Sequence, residues 1–254
     1  MIAIASVIAI LPTQAPAELS QSENVRVAFN GGISPKELPR DDLAPVAVTV
    51  KSSFRSVDGT EPPPQLREIS VAINRQGVIY DKGLPTCKVR RIQPTKISVA
   101  KRICGEAIVG SGQVKVHVRL KNQAPFDVTS PMLVFNAKPT KDGHRRLLAQ
   151  VYGRKPPSAF VLAFKISRQK GTFGNVIETT LPAAAQRWAY VTGFNLKLHR
   201  TYMHEGHERS FVSAGCEAPK GFPGAVYPFA QARFGFDAGR AVETTLIRSC
   251  EVRG

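Results

Sequence analysis

Val114-Lys115-Val116-His117-Val118-Arg119-Leu120 is the stretch whose reading decides the fold. Apolar side chains alternate with cations and an imidazole at a period of two. That period places one set on each face of an extended strand. The same alternation returns at Phe160, Leu162, Phe164 and Ile166, and at Phe194, Leu196 and Leu198 against Asn195, Lys197 and His199. It returns again at Ile69, Val71 and Ile73, and at Val46, Val48 and Val50. Further strands are expected at Val25 to Phe29, Met132 to Ala137, Leu147 to Tyr152, Val176 to Leu181, Ala230 to Phe236 and Val242 to Cys250. One-sided alternation marks antiparallel sheets with a single buried face.

Turn residues punctuate these runs, at Asn30-Gly31-Gly32, Asp142-Gly143, Lys170-Gly171, Glu205-Gly206 and Asp237-Ala238-Gly239. Helical periodicity is weak, and its best candidate is Ala183 to Tyr190, two turns at most. The 19 prolines and 20 glycines cut elements short. The expected class is therefore all-β, an antiparallel β-sandwich. A faint internal echo suggests two packed or tandem sandwich units. Leu66-x-x-Ile69-x-Val71-x-Ile73 leads to Thr86-Cys87, and Tyr190 to Leu198 leads to Gly215-Cys216. The units would span residues 18–125 and 126–254.

Residues 1–17 read as a signal peptide. An apolar run from Met1 to Leu11 ends at Ala15-Pro16-Ala17, a small-residue cleavage site, although the opening Met1-Ile2-Ala3 carries no positive charge. Pro12 breaks the run well short of the ~20 apolar residues that span a bilayer, so no transmembrane anchor is expected. Four cysteines follow: Cys87, Cys104, Cys216 and Cys250. No C-x-x-C pair is among them, and an even count in an exported chain points to disulfides. Three connectivities are open. If the halves are separate units, the pairs are Cys87–Cys104 and Cys216–Cys250.

Several segments resemble a group of uncharacterised secreted proteins of high-GC Gram-positive bacteria. They are Val25-Arg26-Val27-Ala28-Phe29-Asn30-Gly31-Gly32, Leu38-Pro39-Arg40-Asp41, Ala44-Pro45-Val46, Asn74-Arg75-x-Gly77, Leu84-Pro85-Thr86-Cys87, Phe135-Asn136, and Cys216-Glu217-Ala218-Pro219-Lys220-Gly221-Phe222-Pro223. The resemblance spans most of the chain beyond residue 17. It implies export and two cysteine pairs, and it brings no activity.

The chain carries 35 Lys+Arg against 19 Asp+Glu, a net charge of +16. The cations are spread along it, densest at Lys88 to Arg91 and Lys96 to Arg102, without the interleaved aromatics of a base-stacking platform. Nucleic acid is therefore not the expected partner. The plain reading is a basic solvated surface, and the alternative is a surface that docks on anionic cell-envelope polymer or lipid headgroups.

Chemistry is sparse. His204-Glu205-Gly206-His207 is one residue short of the zincin motif, and Gly206 makes it a turn. His204 and His207, with His199 as a third, are the candidate metal ligands, set against a polar hairpin tip. No nucleophile elbow and no nucleotide-binding loop occurs, so no catalytic residue and no cofactor is expected. Phe222, Tyr227, Phe229, Phe234 and Phe236 read as core, as does Trp188. The expected function is that of a secreted, non-enzymatic protein of the envelope or extracellular space. An extracellular hydrolase of envelope carbohydrate or ester, or a metal-binding protein, are the alternatives.

Overall fold

The computed structural model describes residues 17–59, 62–93, 95–182 and 188–253. The expected leader, Ala17 apart, lies outside them. So do residues 183–187 of the expected short helix; of the rest, Ala189 and Tyr190 belong to a strand.

The first half contributes β1 (Glu18–Ser22), β2 (Val25–Ser34), β3 (Glu37–Leu38), β4 (Ala44–Pro45), β5 (Ala47–Ser56), β6 (Leu66–Asn74), β7 (Gly77–Ile79) and β8 (Ile108–Val118). The second contributes β9 (Phe126–Ala137), β10 (Arg145–Arg154), β11 (Pro157–Arg168), β12 (Phe173–Thr180) and β13 (Ala189–Leu198). It continues with β14 (Thr201–His204), β15 (His207–Ser210), β16 (Val212–Ala214), β17 (Gly224–Phe236) and β18 (Ala241–Val252). The expected all-β class holds, and every ladder except the short β3–β18 pairing is antiparallel.

The architecture is one large curled sheet rather than a clear sandwich. Thirteen strands run in the order β1-β2-β5-β13-β8-β9-β10-β11-β12-β6-β17-β18-β3. Strands from the two sequence halves interleave: β5 pairs with β13, and β6 lies between β12 and β17. Residue 125 lies in the connection between the neighbouring strands β8 and β9, and Phe126 opens β9.

The alternating apolar faces turn inward. Val25, Val27 and Phe29 of β2 meet Phe54 of β5 and Phe234 of β17 in one core. Phe29, Phe54 and Phe194 surround Phe234 with edge-on or tilted rings 5.0–6.4 Å apart. Such tight curling needs close backbone approach. A Cβ at Gly112 would lie 2.0 Å from the Asn195 carbonyl oxygen, and one at Gly193 would lie 2.6 Å from that of Ser52. Glycine is required at these crossings because it brings no side chain.

The two edges of the sheet meet. At one end Arg240 of the β17–β18 connection reaches Asn24 and Glu23 in the β1–β2 turn. At the other, β3 pairs with the end of β18. Between them Arg248, with a side chain only 10 % exposed, closes the seam. Its Nε donates to the Gly31 carbonyl at 2.7 Å and its Nη2 to Asn30 Oδ1 at 2.8 Å, and Glu18 lies 3.9 Å away.

One end of the curl is capped. A three-stranded sheet, β4-β16-β7, buries Ala44, Val46, Ile79, Val212 and Ala214 against the interior. Polar side chains fasten the loops there. Arg40 donates to the carbonyls of Ala218, Pro219 and Phe222, and Asn136 Nδ2 donates to those of Leu84 and Pro85. The Cys216–Cys250 disulfide ties the same loop to β18.

The dense basic stretch forms two short helices, α1 (Val89–Ile92) and α2 (Ile97–Cys104). Ile92, Ala100 and Cys104 cover Leu133, Phe135 and Leu148 on the outer face of β9 and β10. Cys87–Cys104 clasps this segment, and Gln150 Nε2 donates to the Ile92 and Thr95 carbonyls at 2.7 Å each. Of the expected core aromatics, Tyr227, Phe229, Phe234 and Phe236 are buried, whereas Phe222 is 61 % exposed. Trp188 is half-buried beside Phe160.

Two stability outcomes follow from these fastenings. Arg248→Ala leaves buried acceptors without a donor and should cost about 2–4 kcal/mol in urea unfolding, with Arg248→Lys recovering only part because it lacks the planar fork. Removing Cys87–Cys104 by paired serines should cost roughly 3 kcal/mol on the chain-entropy model. Protease cleavage should then begin within α1–α2 while the sheet stays protected.

Candidate functional site

The curled sheet encloses a cavity of about 170 Å³. Its wall is built from inward residues of most of the staves. Val48 and Val50 come from β5, Val114 from β8, Met132 and Val134 from β9, and Leu147 and Ala149 from β10. Leu162 and Phe164 come from β11, Ile177 from β12, Val71 and Ile73 from β6, and Val191, Phe194 and Leu196 from β13. Val212 and Ala214 close the capped end. Among the described residues only Asn74, Gln76 and Tyr227 bring polar side chains to the lining, and no charged side chain does.

The reason for the vacancy lies in residue size. The inward positions at mid-height are mostly valine, isoleucine and leucine. A closed sheet of about eight strands is filled by its own side chains, while wider ones leave a lumen. Here side chains such as Val50, Val71, Leu162 and Leu196 face inward and yet stay only half-buried.

Two ladders stop short at the end away from the cap. β11 pairs with β12 only over Lys165–Arg168, and β13 pairs with β5 only over Gly193–Leu198. Leu162 and Val191, both in the lining, stand beside these unzipped stretches.

Polar groups at the capped end serve the fold. Arg145 donates to the Ile79 carbonyl and to Asn175 Oδ1, and burial pulls its pKa down. Asn74 Nδ2 donates to the Pro228 carbonyl at 2.8 Å while its Oδ1 accepts from the Gln76 backbone.

The histidine cluster resolves into separate parts. His204 and His207 face each other across the β14–β15 hairpin. The His204 ring is 17 % exposed, packed against Gly83 and 6.5 Å from the Tyr80 ring, whereas His207 is exposed. His199 lies just beyond β13 and outside the hairpin, with its backbone N–H bonded to Val109. Among the described residues no three His, Cys, Asp or Glu side chains gather into a metal-binding group. His117 Nδ1 is 2.8 Å from Asp127 Oδ1, a cross-strand pair on the outer face. No hydroxyl or thiol is bonded to that imidazole among the described residues.

Tyr202 docks the hairpin, donating to the carbonyls of Lys82 at 3.0 Å and Tyr80 at 3.3 Å. Burial, helped by Tyr80 and Asp81, pushes its pKa up to about 12. The unfolded value is ~10, so this contribution is whole below pH ~10 and is lost as pH rises toward 12. Tyr202→Phe should lower the unfolding midpoint at pH 8 and flatten its decline above pH 10, both read from urea titrations.

No helix among the described residues is long and apolar enough to cross a membrane. The outer faces of the strands carry Arg26, Lys51, Arg55, Lys115, Lys197 and Arg233. A membrane barrel needs an apolar band there. Comparison with known proteins finds no matching family model, no matching curated protein and no matching solved structure.

Proposed function

We propose that this is an exported, non-enzymatic protein of the cell envelope or extracellular space that carries an uncharged apolar molecule inside its curled sheet. The carrying observation is the cavity: about 170 Å³ walled almost wholly by aliphatic and aromatic side chains. At about 24 cal/mol per Å³, leaving such a space empty costs about 4 kcal/mol, a large share of a typical domain's 5–15 kcal/mol. A chain could remove that cost by placing larger residues at a few inward positions. Retaining small ones is explained by a ligand that fills the space.

An acyl or isoprenoid chain is the ligand class this lining accepts. It offers no ion to pair a charge and few donors for a polar body. Access would run through the end where β11 and β13 lack partners, because the other end is sealed by β4-β16-β7. Two disulfides and the residues 1–17 pattern support an oxidising, extracytoplasmic location.

The test is displacement of a fluorescent long-chain alcohol by unlabelled uncharged chains, with solvent extraction and mass spectrometry of protein secreted from its host. One apolar molecule per chain, and a melting temperature raised on loading, are expected. Val71→Phe with Leu196→Phe, from walls six strands apart, should abolish binding while holding or raising the empty protein's melting temperature. Val50→Ile with Val114→Ile is the milder pair and should weaken binding of the longest chains first. Full binding by both filled variants would defeat the proposal.

A further inference from the structure

On the other side of the same sheet lies a second concavity, about 1300 Å³ in volume. Its floor is the outer face of β2, β5, β13 and β8. Ile97 of α2 and Leu133 bound it on one side, and Val226, Ile247 and Ser249 on the other. The strand registers give this floor a definite order. Asn30, Lys51, Asn195, Gln113 and Pro131 stand opposite one another in one row across five strands. Gly32, Thr49, Lys197, Ser111 and Leu133 form the next row, two residues along each strand. At 4.7–4.9 Å between strands, each row is roughly 19 Å long.

Beside Gly32, Pro131 and Leu133, the rows carry side-chain amides, hydroxyls and two lysines, and Lys36 and Arg248 also line the concavity. Among the described residues no Asp or Glu lines the concavity. Lys36, Lys51 and Lys197 make no ion pair among the described residues, although other lysines of the chain do. Lys51, Asn195, Lys197, Ser111 and Gln113 are all exposed.

We infer that this groove binds a linear glycan bearing regularly spaced carboxylate or phosphate groups. The lysines supply the charge complement. Asn195 and Gln113, each both donor and acceptor, suit sugar hydroxyls. Gly32 and Ser111 keep the floor low enough for a chain to lie in it. Nucleic acid fits poorly because no aromatic side chain lines the groove to stack a base. A bilayer surface fits poorly because the floor is recessed between its walls. The sheet itself separates the groove from the cavity, so the inference stands or falls independently of the apolar ligand.

The experiment is fluorescence anisotropy with labelled polygalacturonate fragments, using the full chain at a series of salt concentrations. Fully methyl-esterified polygalacturonate, polyglutamate, single-stranded DNA and phosphatidylglycerol vesicles serve as the other probes. Polygalacturonate should bind best, its methyl ester weakly, and affinity should fall as salt rises. Lys51→Glu with Lys197→Glu should weaken polygalacturonate binding by at least about tenfold and flatten the salt dependence. Lys121→Glu with Lys141→Glu, which makes the same charge change outside the groove, should weaken it far less. Asn195→Ala with Gln113→Ala should weaken polygalacturonate and leave polyglutamate unchanged.

Equal losses from the two lysine pairs would overturn the inference, since only bulk charge would then be acting. So would polyglutamate, DNA or vesicles binding as tightly as polygalacturonate with the same response to the variants. Circular dichroism and intact disulfides would certify that each variant is folded.

Discussion

Everything in this molecule depends on the need of one sheet to bury its apolar face against itself. Sheets of this kind usually find a second layer, another sheet or a row of helices. Here the helices are too short and lie outside, and the three-stranded cap covers only one end. The remaining solution is to curl until the edges meet. Curling brings the backbones so close at Gly112 and Gly193 that no Cβ fits. It also leaves a seam where β18 meets β1 and β2 with no regular ladder between them. Arg248 bridges the seam by donating into backbone and side-chain oxygens that a ladder would otherwise satisfy. A cation nine-tenths out of solvent is sustainable there because its donors find those acceptors and Glu18 lies within reach.

The cavity is a geometric consequence of the same closure. Circumference grows with strand number, whereas the reach of an inward side chain is set by its type. Phenylalanines from β2, β5, β13 and β17 fill the interior over part of its height. Around the cavity most inward residues are aliphatic, with Phe164 and Phe229 among them, and they do not fill the space between the walls. Core packing in proteins normally reaches crystal-like density. A region that departs from it with an almost wholly apolar surface is therefore best understood by what would complete the packing.

The strands were legible because their period of two is unusually clean, and the class followed from it. The way they assemble was not. A sandwich and a curled sheet bury identical alternating faces, so Val46 to Val50 or Phe160 to Ile166 read the same in either. What separates them is the pairing of β5 with β13 and the seating of β6 between β12 and β17, contacts far apart in sequence. The helices over Val89–Ile92 and Ile97–Cys104 were hidden by their charge. Ile97, Ala100 and Cys104 nevertheless repeat at three and four residues, a signal that marks one face of a helix. The cysteine pairs matched the local expectation, Cys87 with Cys104 and Cys216 with Cys250. His204 and His207 are cross-strand partners in their hairpin, but the His204 ring packs against Gly83, His207 stays in solvent and His199 lies outside the hairpin. The cavity left no trace at all, since a valine facing a void and a valine facing a leucine are the same letter.

Polar side chains fasten the loops and the seam. Arg40 grips the loop that follows Cys216, Asn136 grips Leu84 and Pro85, and Asn30 receives Arg248. The first two satisfy loop carbonyls and the third ties the seam side chain to side chain. The two faces of the sheet depend on the same strictness of register. On β13 Val191 faces the cavity, as do Phe194, Leu196 and Leu198, although 191 and 194 differ in parity. The irregularity between Val191 and Gly193 absorbs the extra residue. A matching break between Pro228 and Ala230 lets Tyr227, Phe229, Ala232 and Phe234 all point inward. Without these bulges one half of each strand would turn its lysines and amides to the interior and its aromatics to water. An apolar interior and a polar, cationic exterior groove are thus opposite sides of a single alternation, kept in phase by a few irregular residues.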